Sequence, residues 1–99
     1  MYQYTTPVHI FTISTNLELL SNLNIVYAQK DKILFKKTLE DVLETSGNVV
    51  TVTLSQKETG KFDERFPAQI QLHAKTLGNV ALASRVYEVP VCKLLDTEI

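Results

Sequence analysis

One cysteine, three glycines, three prolines and no tryptophan occur among the 99 residues. The single thiol, Cys92, rules out a disulfide within the chain and fits folding in a reducing compartment. Three glycines supply no phosphate-cradling loop and no GxSxG elbow. With no tryptophan, Tyr27 and Tyr87 alone make a poor platform for a sugar ring. Neither sign of charge is in excess, since ten basic and eleven acidic residues leave a formal net charge of −1. A basic patch interleaved with aromatics is missing, so no nucleic-acid partner is expected. Apolar runs are only a few residues long, far below the roughly 20 that carry a helix across a membrane. The opening MYQYTTP lacks a basic segment followed by an apolar one, so no secretory signal and no membrane association are expected.

What the chain does contain is alternation. Val50, Val52 and Leu54 alternate with Val49, Thr51 and Thr53. Ile70, Leu72 and Ala74 alternate with Gln69, Gln71, His73 and Lys75. Side chains on a strand point to opposite faces with a period of two, so each stretch has one dry and one wetter face. A chain of this length holds about one domain and can bury one core without staples.

Strands are predicted over Val8–Ile13, Leu23–Gln29, Ile33–Thr38, Val49–Leu54, Ala68–Thr76 and Val80–Ser84, with Arg85–Cys92 continuing the last. The first is apolar on both parities, which leaves its inward face open. Leu39–Leu43 reads as a further weak strand, with a helical turn as the alternative. Lys30-Asp31-Lys32 turns a hairpin, and Ser46-Gly47-Asn48 and Leu77-Gly78-Asn79 mark further turns. Pro90 lacks an amide donor, so its strand should lie at an edge or break there. Thr15–Glu18 and Ser55–Glu58 have the spacing of capping boxes, each supporting one helical turn. The expected fold is therefore all-β: an immunoglobulin-like antiparallel β-sandwich of seven to eight strands with one or two single helical turns. Residues 1–6 form an N-terminal arm, 7–92 the domain and 93–99 a frayed tail.

Catalytic constellations do not emerge. His9 and His73 each sit on a strand with no ligand partner at metal spacing. His73, among Gln69, Gln71 and Lys75, reads as a solvated surface histidine. Cys92 has nothing near it in sequence to lower its pKa and reads as a packed or half-buried thiol. Asp63 and Glu64 are adjacent and would point apart on an extended chain, and Asp31, Glu40, Asp41 and Glu44 match no EF-hand loop. No enzyme, cofactor, metal or small-molecule substrate is expected. Phe62 and Phe66 read as plugs beneath the wet Lys61–Arg65 loop. The candidate contacts for a protein partner are Tyr2, Tyr4, Lys61 and Arg65, because tyrosines bury area while keeping a polar tip. For Tyr2 and Tyr4 the alternative is that both rings cover the rim of the core.

The strings LSQKETGKF (54–62), AQIQLHAKTLGNVALAS (68–84) and IVYAQKDKILFKKTLED (25–41) resemble short uncharacterised prophage proteins of Gram-positive bacteria. They are also similar to the N-terminal β-sandwich domains of phage baseplate upper proteins. Ser55 and Lys57 stand where that pattern more usually has Thr and Glu, which leaves the turn physics intact. The resemblance implies a non-enzymatic structural or assembly protein of a phage tail or baseplate region. It would be made in the bacterial cytoplasm, act by self-association or docking, and enter the virion. The alternative is a monomeric prophage-encoded module that engages a host protein.

Overall fold

The computed structural model describes residues 1–42 and 44–96, with 44–46 described by their backbone. Within them lie β1 (Val8–Thr12), β2 (Leu20–Gln29), β3 (Lys32–Thr38), β4 (Glu44–Ser46), β5 (Val49–Thr53), β6 (Ala68–Thr76), β7 (Ala81–Ala83) and β8 (Tyr87–Val89). The small sheet has the order β1-β5-β4 and the large one β3-β2-β6-β7, with β8 also paired to β6. Every strand pair is antiparallel. The chain is thus an all-β, two-sheet sandwich.

The alternation explains the packing. Val50, Val52 and Leu54 turn inward from the small sheet, against Leu23, Ile25, Tyr27, Ile70 and Leu72 of the large one, and all are buried. Each such side chain contributes roughly 1.5–3 kcal/mol on leaving water. Phe62 joins this core at 2% exposed, while Phe66 stays half-buried with Lys30 and Arg65 over its ring. Two buried polar side chains fix loops to the core. The Gln29 amide donates to the Asp63 and Phe66 carbonyls at 2.7 and 2.9 Å, and its oxygen accepts from the Asp63 amide at 2.7 Å. The Thr59 hydroxyl accepts from the Thr5 amide at 3.0 Å and donates to the Thr5 carbonyl at 2.8 Å.

The hairpin at Lys30-Asp31 forms, with both residues at positive φ (52° and 63°) and Gln29 paired to Lys32. That two-residue geometry matches the right-handed twist of the flanking strands. The Ser55 box also forms and starts a single α-helical turn, α1 (Gln56–Thr59). Ser55 Oγ accepts from the Glu58 amide at 3.1 Å and Glu58 Oε1 accepts from the Ser55 amide at 2.8 Å.

Four expectations need correction. The turn after β1 is a 3₁₀ turn at Leu17–Leu19 capped by Asn16, not Thr15, with Asn16 Oδ1 accepting from the Glu18 amide at 3.0 Å. Leu39–Asp41 is a 3₁₀ turn rather than a strand, since Asp41 Oδ2 accepts from the Thr38 amide at 2.8 Å and bends the chain (Leu43 lies outside the described residues). With α1 this makes three helical turns among the described residues, not one or two. The strand expected from Leu23 already starts at Leu20, and β2 absorbs a register shift between Leu20 and Asn22. Residues 97–99 of the expected tail lie outside the described residues.

Candidate functional site

Among the described residues, a cleft of about 560 Å³ opens where the two sheets gape along one side. Its walls are β1 at the edge of the small sheet and β6 with its partners β7 and β8 in the large one. From the small sheet come His9, Phe11 and Ile13, and from the large sheet Leu72, Leu82 and Tyr87. Register explains the choice of residues: His9 and Phe11 lie opposite buried Val52 and Val50, so they share the inner face. Leu82 and Tyr87 lie opposite Ala74 and Ile70 on the inner face of β6. The inward face of β1 is therefore the odd-numbered one. Val8 and Ile10 turn outward and are 55% and 66% exposed.

The large-sheet lip is built from two short strands, β7 and β8, laid end to end along β6. Between them Ser84 holds the ladder together. Its amide donates to the Leu72 carbonyl at 2.8 Å, and its hydroxyl accepts from the Leu72 amide at 3.0 Å. The edge expected around Pro90 is thus realised, with Pro90 just beyond β8. Arg85 stacks over the Tyr87 ring at 4.5 Å.

Behind the cleft wall, His9 Nδ1 stands 2.7 Å from the Tyr27 hydroxyl, with the two rings stacked 5.7 Å apart. Burial, with the Glu58 charge adding to it, pushes the Tyr27 phenol well above its ordinary value, so it stays protonated. Burial also lowers the His9 pKa from 6.5, helped by the N-terminal ammonium, so the imidazole is neutral near pH 7. The pair continues inward, since Tyr27 stacks on Phe35 at 4.8 Å and Phe35 meets Phe62 edge-on at 5.7 Å. This coupling of His9 to Tyr27 is invisible in a sequence that places them 18 residues apart on strands of different sheets. No carboxylate lines the cleft to orient the imidazole as a base, and its lining is uncharged. Among the described residues, no three His, Cys, Asp or Glu side chains stand together as a metal site. The arrangement can bind and pack a mainly apolar group.

The four expected contact residues lie elsewhere. Tyr2 is 56% exposed, on a segment that does not hang free: the Gln3 amide donates to the Cys92 carbonyl and the Cys92 amide to the Met1 carbonyl, at 3.0 and 2.8 Å. Tyr4 is half-buried with its ring against Gly60, where a Cβ would collide with it. Lys61 is exposed, near the Phe35 ring. Arg65 is tied to Asp63 by paired bonds of 2.7–3.1 Å, which hold the exposed Asp63 carboxyl down to about 2. The structure thus brings Tyr4 close to the start of the Lys61–Arg65 loop, and none of the four lines the cleft. His73 is exposed on the outer face of β6, although it touches the cleft rim, and Cys92 is half-buried.

Fold and site define a two-sheet antiparallel β-sandwich with one open, uncharged side. Comparison with family models, curated proteins and solved structures finds no match, and so nothing that links the chain to prophage proteins or baseplate domains. Among the described residues no helix is long and apolar enough to cross a membrane.

Proposed function

We propose that this chain is a non-enzymatic protein that works through protein–protein contacts, as a structural or assembly component of a phage tail or baseplate region. The observation that carries the contact role is the open side of the sandwich. There an edge strand with unpaired backbone groups borders an apolar cleft, and such edges are templates for a further strand. The phage setting rests on the resemblance of residues 25–41, 54–62 and 68–84. In this reading the protein is made in the bacterial cytoplasm and carried into the particle. Mass spectrometry of purified particles from an induced lysogen carrying the gene tests it. Stoichiometric presence in the particle is expected; presence in the lysate alone would overturn the structural role.

A second reading, a monomeric module engaging a host protein, is favoured by the exposure of Tyr2 on a backbone pinned to Cys92. A ring presented without its own backbone freedom loses little entropy on binding. In this reading Y2A with K61A abolishes capture of the host partner in a pull-down, and unchanged capture rejects it.

A further inference from the structure

The hydrogen-bond parity of β1 says which groups its free edge offers. The Leu54 amide donates to the Pro7 carbonyl at 3.0 Å, and the Ile13 amide to the Asn48 carbonyl at 2.9 Å. Odd-numbered residues of β1 are therefore the ones bonded to β5. The amides and carbonyls of Val8, Ile10 and Thr12 point the other way, along an edge that no strand of this chain covers among the described residues. Solvent-facing edges in monomers carry inward charges, bulges or prolines that discourage pairing. β1, Val-His-Ile-Phe-Thr, has none of these, and its outward side chains Val8 and Ile10 are two of the most exposed apolar groups in the chain.

We propose that β1 pairs antiparallel with β1 of a second copy of this chain, about a twofold axis at Ile10. This deepens the contact role argued above and rests on it. The occupant is a second copy because the edge is complementary to itself. Pairing about Ile10 sets Val8 opposite Thr12 and Ile10 opposite its symmetry mate, with no like charges facing and all outward backbone groups satisfied. The same operation on β3, about its central Phe35, would set each Lys36 diagonally across from its counterpart and bring the three lysines of each strand onto one short ladder, so the alternative edge opposes pairing. A standard interface covers roughly 800 Å² on each partner, more than a five-residue strand offers. The dimer therefore also covers the neighbouring lip, where Val86 and Tyr87 are 46% and 37% exposed.

Analytical ultracentrifugation of the full chain from roughly 1 to 200 μM tests this. The wild type should sediment at twice the chain mass of 11.2 kDa at the upper concentrations. I10K should sediment as a monomer with an unchanged circular dichroism spectrum and cooperative melt. V86K should shift the dimer midpoint about tenfold upward, while I33K, exposed on β3, should leave it unchanged. A wild type monomeric at every concentration overturns the proposal, as does a dimer that survives I10K or is lost equally in I33K. A monomeric chain found in stoichiometric amounts in phage particles would reject the twofold pairing and leave the structural role standing. The converse pair of results, a dimer absent from particles, would do the reverse.

Discussion

At the β3 edge the residue facing inward opposite Ile25 is a lysine, whereas inward positions on β1 hold His9 and Phe11. Lys37 crosses the mouth between the sheets to Glu58 Oε1 at 2.8 Å, and both side chains are largely covered. Burial alone would raise the Glu58 pKa, but the Lys37 ammonium and the Ser55 amide outweigh it and hold the carboxyl below its ordinary value. The β2–β3 ladder also carries a bulge between Tyr27 and Ala28. An inward charge and a bulge are both devices that spoil edge pairing. On the other side a neutral imidazole, bonded back to Tyr27, leaves the edge uncharged. The two sides differ both in how many charges they carry and in where these point: β3 has three lysines, one of them inward, and β1 has none. One side is shut by an ion pair, and the other is left dry and open.

Tyr27 is the residue both sides share, stacked on Phe35 of β3 and on His9 of β1. Tyr27→Ala should remove about 3–5 kcal/mol of stability in urea unfolding, the largest effect of any change considered. A loss below about 1 kcal/mol would mean the two sides pack independently. Lys37→Val should cost about 1–3 kcal/mol, because it leaves the largely covered Glu58 carboxylate without its ammonium partner. Its larger consequence is at the edge: an unguarded β3 should self-associate, seen as a concentration-dependent rise in sedimenting mass through β3. If K37V associates no more than the wild type, the inward charge is not what guards that side. Ser55→Ala should cost about 1 kcal/mol, because the box both caps α1 and aims Glu58 at Lys37. The thermal midpoint would report it, and restoration by Ser55→Asp, which can still accept from the Glu58 amide, separates the cap from general packing loss.

Local chemistry was legible where one residue pair decides the outcome. Ser55 and Glu58 three apart, Lys30-Asp31 between alternating strands, and Pro90 beside an edge strand each carry their reason in a few adjacent positions. The 3₁₀ turn at Leu39–Asp41 escaped because an alternating neighbourhood outweighed the short reach from Asp41 to the Thr38 amide. β4 escaped because it pairs only once the turn at Gly47, φ 60°, returns it to β5. The cleft is harder still. Its walls come from residues near 8–15 and 70–89, joined by topology alone. The ambiguous parity of Val8–Ile13 is the trace of that edge: its odd residues face the cleft, while the even-numbered Val8 and Ile10 are apolar yet exposed.

The smallest expected effect concerns His9 and sharpens the contrast between a charged inward lysine and a neutral inward histidine. Burial lowers the folded-state pKa of His9 below 6.5, so as pH falls the unfolded chain takes up this proton first. Between the lowered value and 6.5 the unfolded state binds more protons than the folded one, and stability therefore rises with pH. The contribution is complete above about pH 6.5, declines as pH falls below it, and reaches its floor once folded His9 is also protonated. Loss from Glu58, whose pKa is lowered from 4.5, belongs to a more acidic window and can be read separately. Urea unfolding of the wild type from about pH 7.5 to 5.5 should show this slope, and His9→Gln, which keeps a partner for the Tyr27 hydroxyl, should flatten it. An unchanged slope in H9Q would mean that His9 is solvated in the folded state, and that the open side of the sandwich is wetter than its lining implies.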